Sequence, residues 1–175
     1  LAATAFNDIW GYENSLQNEF AIIGTKTSIR IYNVTNTDSV FLVKEYVDGA
    51  NTSWRDFKTY KNYVSAVCDN CSEGLEIINM DSLAVSNFTQ TTTQFLKAHN
   101  IYVDTLNARL YAVGATYFPG GINRGIIVYD ISNPGNPVFV KFFDDNKYVH
   151  DIYVQNNIAY ASSGYSGTFV YDFSN

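Results

Sequence analysis

Short apolar runs alternate with polar, turn-forming clusters along the whole chain, and no stretch keeps a 3.6-residue apolar period over three turns. The unit is clearest in Tyr148–Asn175, YVHDIYVQNNIAYASSGYSGTFVYDFSN. Asp151-Ile152-Tyr153-Val154 alternates polar and apolar, Gln155-Asn156-Asn157 is turn chemistry, and Ile158–Ser162 is a second apolar run. Gly164–Gly167 is a loop, and Thr168–Phe173 is a third β-rich run. One helical turn is expected, at Asp81–Ser86.

The unit recurs. A polar pair opens an apolar strand at Asn7-Asp8-Ile9-Trp10, Arg55-Asp56-Phe57-Lys58, His99-Asn100-Ile101-Tyr102 and His150-Asp151-Ile152-Tyr153. From Asp8 through Asp56 and Asn100 to Asp151 the steps are 48, 44 and 51 residues. A second marker, at Tyr32-Asn33, Ile78-Asn79, Tyr129-Asp130 and Tyr171-Asp172, recurs after 46, 51 and 42 residues. Each of the first three periods holds four strands, A to D, and the fourth holds A, B and C. Antiparallel four-stranded units at this period predict an all-β fold, a β-propeller. The blades span about 7–46, 54–93, 99–143 and 150–175, the last without its outer strand. A β-sandwich is the alternative, but it would not repeat two markers four times.

Strand A is expected nearest the axis. B and C are expected to be covered on both faces, because their apolar runs are nearly continuous. D is expected outermost and more polar, as Lys44, Glu45 and Lys141 suggest. Asn33, Asp130 and Asp172 are expected to fold back onto the C–D turns as Asx residues do. Residues 1–6, LAATAF, are the candidate for the missing outer strand, but they lack the bulky alternation of Val40–Tyr46. An open arc exposes the apolar faces of its end blades. The expectation is therefore a longer propeller, its ring completed by further blades, or a partner chain covering the end blade.

Composition narrows the function. Aromatics make up 16% of the chain, with 14 Tyr and 12 Phe, which suit pleated, half-buried surfaces. The net charge is −6 with no basic cluster, which argues against nucleic acid and anionic membranes as partners. No apolar run reaches the roughly 18 residues of a transmembrane segment. Few Lys, many Tyr, Asn, Thr and Ser, and an opening at Leu1 without Met suit an exported protein whose targeting signal lies elsewhere.

Topology places the D–A and B–C loops on one face. That face collects a polar ring, Asp8, Asp56, His99, Asn100, His150 and Asp151, with Arg55 beside it. The ring either binds a cation or polar ligand at the channel mouth or hydrogen-bonds neighbouring blades. Calcium held by Asp8, Asp56 and Asp151 is the simplest metal reading, and no other cofactor is expected. Arg55 is expected to be structural, pairing with an Asp of the next blade. Cys68 and Cys71 leave a strand for a loop, so a local disulfide is expected rather than a redox pair. The loop Ala115–Arg124 carries Tyr117 and Phe118, which either bind a ligand or fold back as a lid. No G-x-S-x-G, H-E-x-x-H, P-loop or Rossmann pattern occurs.

Six segments, Asn7–Tyr12, Glu19–Gly24, Ser53–Tyr63, Ala98–Ile101, Tyr129–Val138 and His150-Asp151, carry a further pattern in order along the chain. In these segments the chain resembles the LVIVD-repeat propellers, and choice-of-anchor B proteins of secreted bacterial origin in particular, Bacteroidota-like among them. The similarity covers nearly the whole chain. It departs at Thr37-Asp38-Ser39, where the Pro-rich turn is absent, and at Cys68–Cys71. The resemblance implies a cell-surface or secreted propeller, on the outer side of the outer membrane in a bacterium, and it supplies no reaction. The functional expectation is a non-catalytic module binding a protein or glycan through the loop face. The alternatives are a carbohydrate-active enzyme using the polar ring, or an architectural spacer.

Overall fold

The computed structural model describes residues 5–83, 88–118 and 120–174. Four antiparallel sheets follow one another along the chain. The first holds β1 (Phe6–Glu13), β2 (Glu19–Thr25), β3 (Ser28–Asn33) and β4 (Phe41–Val47) in that spatial order. The second holds β5 (Arg55–Tyr60), β6 (Tyr63–Cys68), β7 (Leu75–Asn79) and β8 (Phe88–Thr91). The third holds β9 (Asn100–Asp104), β10 (Arg109–Val113), β11 (Ile126–Asp130) and β12 (Val138–Phe143). The fourth, among the described residues, holds β13 (Asp151–Gln155), β14 (Ile158–Ser162) and β15 (Thr168–Asp172). The leading strands β1, β5, β9 and β13 lie side by side in that order.

Local chemistry explains the connections. Asn156 and Asn157 both take positive φ, as a two-residue hairpin between β13 and β14 requires and asparagine tolerates. After each third strand an Asx side chain accepts a backbone N–H two residues on: Asn33 from Thr35 at 3.0 Å, Asn79 from Asp81 at 3.0 Å, Asp130 from Ser132 at 2.8 Å and Asp172 from Ser174 at 2.8 Å. Asn79 thereby caps a 3-10 turn at Met80–Ser82, where the lone helical turn was expected. The end of that expectation, at residues 84–86, lies outside the described residues.

Side chains alternate across each strand, so every inner sheet offers one face to each neighbour. Ile22, Ile29 and Ile31 meet Phe57, Val64, Ala66 and Ile78 between the first two sheets. Val67, Leu75 and Ile77 meet Ile101, Leu110 and Ala112 between the second and third. Tyr111, Val113, Ile126 and Val128 meet Ile152, Val154, Ala159 and Ala161 between the third and fourth. Burial on both faces is why the second and third strands read as unbroken apolar runs.

The outer strands depart from expectation. β4 and β12 lie at the sheet edges, yet they expose Phe41, Leu42, Val43, Val47, Val138 and Val140 rather than a polar surface. Lys44 and Glu45 of β4 are half-buried instead, and Glu45 pairs with Arg30 at 2.9 Å. Residues 1–4 of the candidate outer strand lie outside the described residues. Phe6 belongs to β1, where it pairs with Thr25 of β2.

Candidate functional site

Because neighbouring strands run antiparallel, the starts of β5, β9 and β13 and the loops between second and third strands share one edge of the sheet stack. The residue preceding the polar-strand position is Asn7, Arg55, His99 or His150, depending on the sheet. Two glycines make room for this row. A Cβ on Gly24 would lie 1.9 Å from Asn7 Oδ1 and 3.0 Å from Arg55 Cδ. A Cβ on Gly114, which sits at φ +61°, would lie 2.4 Å from His99 Cβ and 3.0 Å from the Tyr148 hydroxyl oxygen.

Arg55 is fully enclosed, and its partners differ from the sequence expectation. It does not reach an Asp of the following sheet. Its Nη1 lies 2.6 Å from Asp48 Oδ2 and 3.4 Å from Glu76 Oε2, its Nη2 donates to Asp48 Oδ1 at 3.1 Å, and its Nε donates to the Thr25 carbonyl at 2.9 Å. Asp48 belongs to the linker entering the second sheet and Glu76 to β7 of that same sheet. One guanidinium thus faces two buried carboxylates. Burial, reinforced by the Asp48 charge, pushes the Glu76 carboxyl up to about 8.

The acidic members of the expected ring are occupied by the fold. Asp8 Oδ2 accepts the Phe57 N–H at 3.0 Å, and Asp56 Oδ2 accepts the Ile101 N–H at 2.7 Å. Each carboxylate therefore ties its leading strand to the next. Asp56 also pairs with Lys58 at 2.5 Å, and burial raises its pKa against the pull of that ammonium. Asn100 is half-buried at the start of β9. The tie changes at the fourth sheet, where the Ile152 N–H is taken at 2.8 Å by the exposed Asp151. Among the described residues, Asp8, Asp56 and Asp151 do not gather around one point, so the calcium arrangement expected from sequence is not formed.

The histidines do come together. The rings of His99 and His150 lie 4.1 Å apart between centroids, tilted by 50°. His99 Nδ1 is 2.6 Å from Asp69 Oδ2. Trp54, 63% exposed, has its ring 6.1 Å from that of His99. Tyr148 borders the group, its hydroxyl pKa raised by burial and by the negative charge of Asp69. Backbone bonds fix the arrangement: Asp69 N donates to the Trp54 carbonyl at 3.0 Å, His99 N to Val113 at 3.0 Å and His150 N to Ser162 at 2.7 Å. Trp54, Asp69 and Tyr148 are additions to the sequence-derived set. Trp54 stood beside the Arg55-Asp56 marker and Asp69 inside the Cys-Asp-Asn-Cys segment, but neither repeats between sheets, so periodicity gave no signal for them.

The flanking loops are packed. Cys68 and Cys71 form a disulfide. Glu73 lies close to both sulfurs, but a bridged sulfur is no thiolate ligand. Tyr117 stacks on Phe142 with centroids 4.1 Å apart, and it exchanges backbone bonds with Ile122. It is a lid on its own sheet rather than an exposed anchor. Phe118 is half-buried and lines a notch of about 290 Å³ with Cys71, Leu96 and Thr116, while Pro119 lies outside the described residues. A larger cavity of about 470 Å³ opens away from this edge, between Arg109, Tyr111, Val140 and Phe173.

No family model matches the sequence, and no curated protein does. Solved structures of WD40 and β-propeller-like form do match the fold. Raptor from Chaetomium thermophilum superposes over 100% of this chain with a TM-score of 0.67 at 15% identity. KlAtg21, in its complex with the coiled coil of AgAtg16, superposes over 96% with a TM-score of 0.59 at 10% identity. The N-terminal domain of Nup159 superposes over 88% with a TM-score of 0.54 at 10% identity. The chain spans 16%, 53% and 38% of those three chains, respectively.

Proposed function

We propose that the chain forms consecutive blades of a β-propeller and works as a non-catalytic interaction module that binds a protein through its loop face. The observation that carries this reading is the division of labour at that face. Asp8, Arg55 and Asp56 are bound into the sheet stack, whereas Trp54, Tyr148 and His150 are exposed. Exposed aromatics on a rigid scaffold are the groups that dominate protein interfaces. The KlAtg21 structure was solved with a coiled coil, which supports a protein as the partner class. The LVIVD and choice-of-anchor B resemblance supports a secreted or cell-surface setting, and the absence of a membrane-crossing helix among the described residues is compatible with it.

Completion of the ring by further blades, or by a partner chain, is part of the same proposal. In the third sheet Tyr102, Tyr111 and Val128 share one row across the strands, and this row packs against the fourth sheet. In the fourth sheet the matching row is Tyr153, Tyr160 and Val170, all three exposed. The two rows have the same composition, so the exposed one suits another sheet of the same kind.

The test compares immobilised wild type, Trp54→Ala with Tyr148→Ala, and Leu106→Ser for capture of surface proteins from the native source. Leu106 is exposed on the opposite edge, in the turn between β9 and β10. A partner kept by Leu106→Ser and lost by the loop-face variant supports the proposal. Loss with Leu106→Ser alone overturns the choice of face. Glycan hydrolysis abolished by Asp56→Asn overturns the non-catalytic assignment.

A further inference from the structure

We infer that His99 and His150 form a binding site for a borderline divalent metal ion, Cu²⁺, Ni²⁺ or Zn²⁺, shared between the third and fourth sheets. A carboxylate oxygen can only accept, so the 2.6 Å contact to Asp69 Oδ2 puts the proton of neutral His99 on Nδ1. The lone pair is then on Nε2. A metal-ligating histidine is held in this way, its other nitrogen donating to a carboxylate that fixes the ring and raises its basicity. Asp69 is itself held, by its N–H to Trp54 and by a loop closed through the Cys68–Cys71 disulfide.

The second imidazole is 4.1 Å away between centroids, and His150 is exposed. Two histidines on one ion, with metal–nitrogen bonds of about 2.0–2.1 Å, want ring centroids about 5 Å apart. Outward rotation of His150 by roughly an ångström reaches that separation, and an exposed side chain can make such a move. Imidazole nitrogens select Cu²⁺, Ni²⁺ and Zn²⁺ over Mg²⁺ and Ca²⁺, which prefer oxygen. This site goes beyond the partner-binding reading, and metal binding is measured without any partner.

The experiment is titration of the chain with CuCl₂, NiCl₂ and ZnCl₂ at neutral pH by calorimetry and tryptophan fluorescence, with CaCl₂ and MgCl₂ as controls. One ion per chain is expected, with Cu²⁺ tightest and no calcium or magnesium response. Cu²⁺ should quench Trp54, and Trp54→Phe should abolish most of the quench while leaving the calorimetric affinity unchanged. His99→Gln and the exposed His150→Ala should each weaken binding at least tenfold, and Asp69→Asn should weaken it about 10- to 100-fold as a positioning residue. Unchanged affinity in both folded histidine variants overturns the proposal, and so does the absence of a one-to-one isotherm for all three ions. Calcium binding as tight as that of the three ions and lost in His150→Ala also overturns it, because imidazole nitrogens do not favour calcium.

Discussion

Replacing Glu76 by glutamine should flatten the dependence of stability on pH between 5 and 9. Glu76 is fully buried on β7, with one oxygen 3.4 Å from Arg55 Nη1 and the other accepting from Gln90 Nε2 at 3.3 Å. Asp48 holds the shorter contacts to the guanidinium, at 2.6 and 3.1 Å, and Glu76 is the carboxyl that keeps its proton. Its folded pKa of about 8 stands above the unfolded value of 4.5. The contribution of Glu76 is therefore complete below about pH 4.5 and is lost as pH rises through about 8. The interval sets a ceiling of about 5 kcal/mol, at about 1.4 kcal/mol per pH unit. Local relaxation and water entry should leave about 2–3 kcal/mol of it observable. In Glu76→Gln the Gln90 amide can turn over to accept, leaving the new carbonyl for Arg55. Urea unfolding followed by circular dichroism should give near-equal stabilities at pH 5 and a variant more stable by about 2–3 kcal/mol at pH 9. Parallel profiles, or a variant that weakens as pH rises, would refute the argument and make ionised Glu76 the true partner of Arg55.

Asp56→Ala should cost about 1–3 kcal/mol in urea unfolding, because the buried Ile101 N–H loses its acceptor; no loss would mean that water replaces the carboxylate. Gly114→Ala, at φ +61° and against His99 Cβ, should lower the thermal midpoint and shift Trp54 emission, whereas Gly121→Ala, with nothing within 4 Å, should leave the emission unchanged. Asp130, held down to about 2 by Ser132 and Arg109, should contribute stability above its unfolded value of 3.8 and lose it as pH falls through 2, so Asp130→Asn should remove an acid-side step from the melting profile.

The strands were legible because two chemical markers repeat. Asn33, Asn79, Asp130 and Asp172 report the same Asx turn at the end of the same strand, and Asp8 and Asp56 report the same tie to the next strand. Outer-strand polarity was misjudged from Lys44, Glu45 and Lys141, because charge counts do not say which side of an edge strand faces outward. The neighbouring Phe41, Leu42 and Val43 are the exposed residues.

The site was less legible, for a reason visible in one row of the repeat. Asn7, Arg55, His99 and His150 occupy matching positions, so sequence alone treats them as one ring. Their environments differ because the linkers before them differ. Asp48 enters ahead of Arg55 and draws it inward with Glu76, so that residue becomes part of the core. The linker ahead of His99 brings no acid to it; its carboxylate comes instead from Asp69, in the preceding sheet's disulfide loop. His150 follows Tyr148 and remains exposed beside His99. The acids of the row were expected to gather a hard cation, but a backbone N–H group claims one oxygen of each, and for Asp8 and Asp56 that N–H belongs to the next leading strand. Among the described residues the two histidine rings are brought together and the three carboxylates are not. The chemistry of the face follows from which side chains the sheet stack has already used.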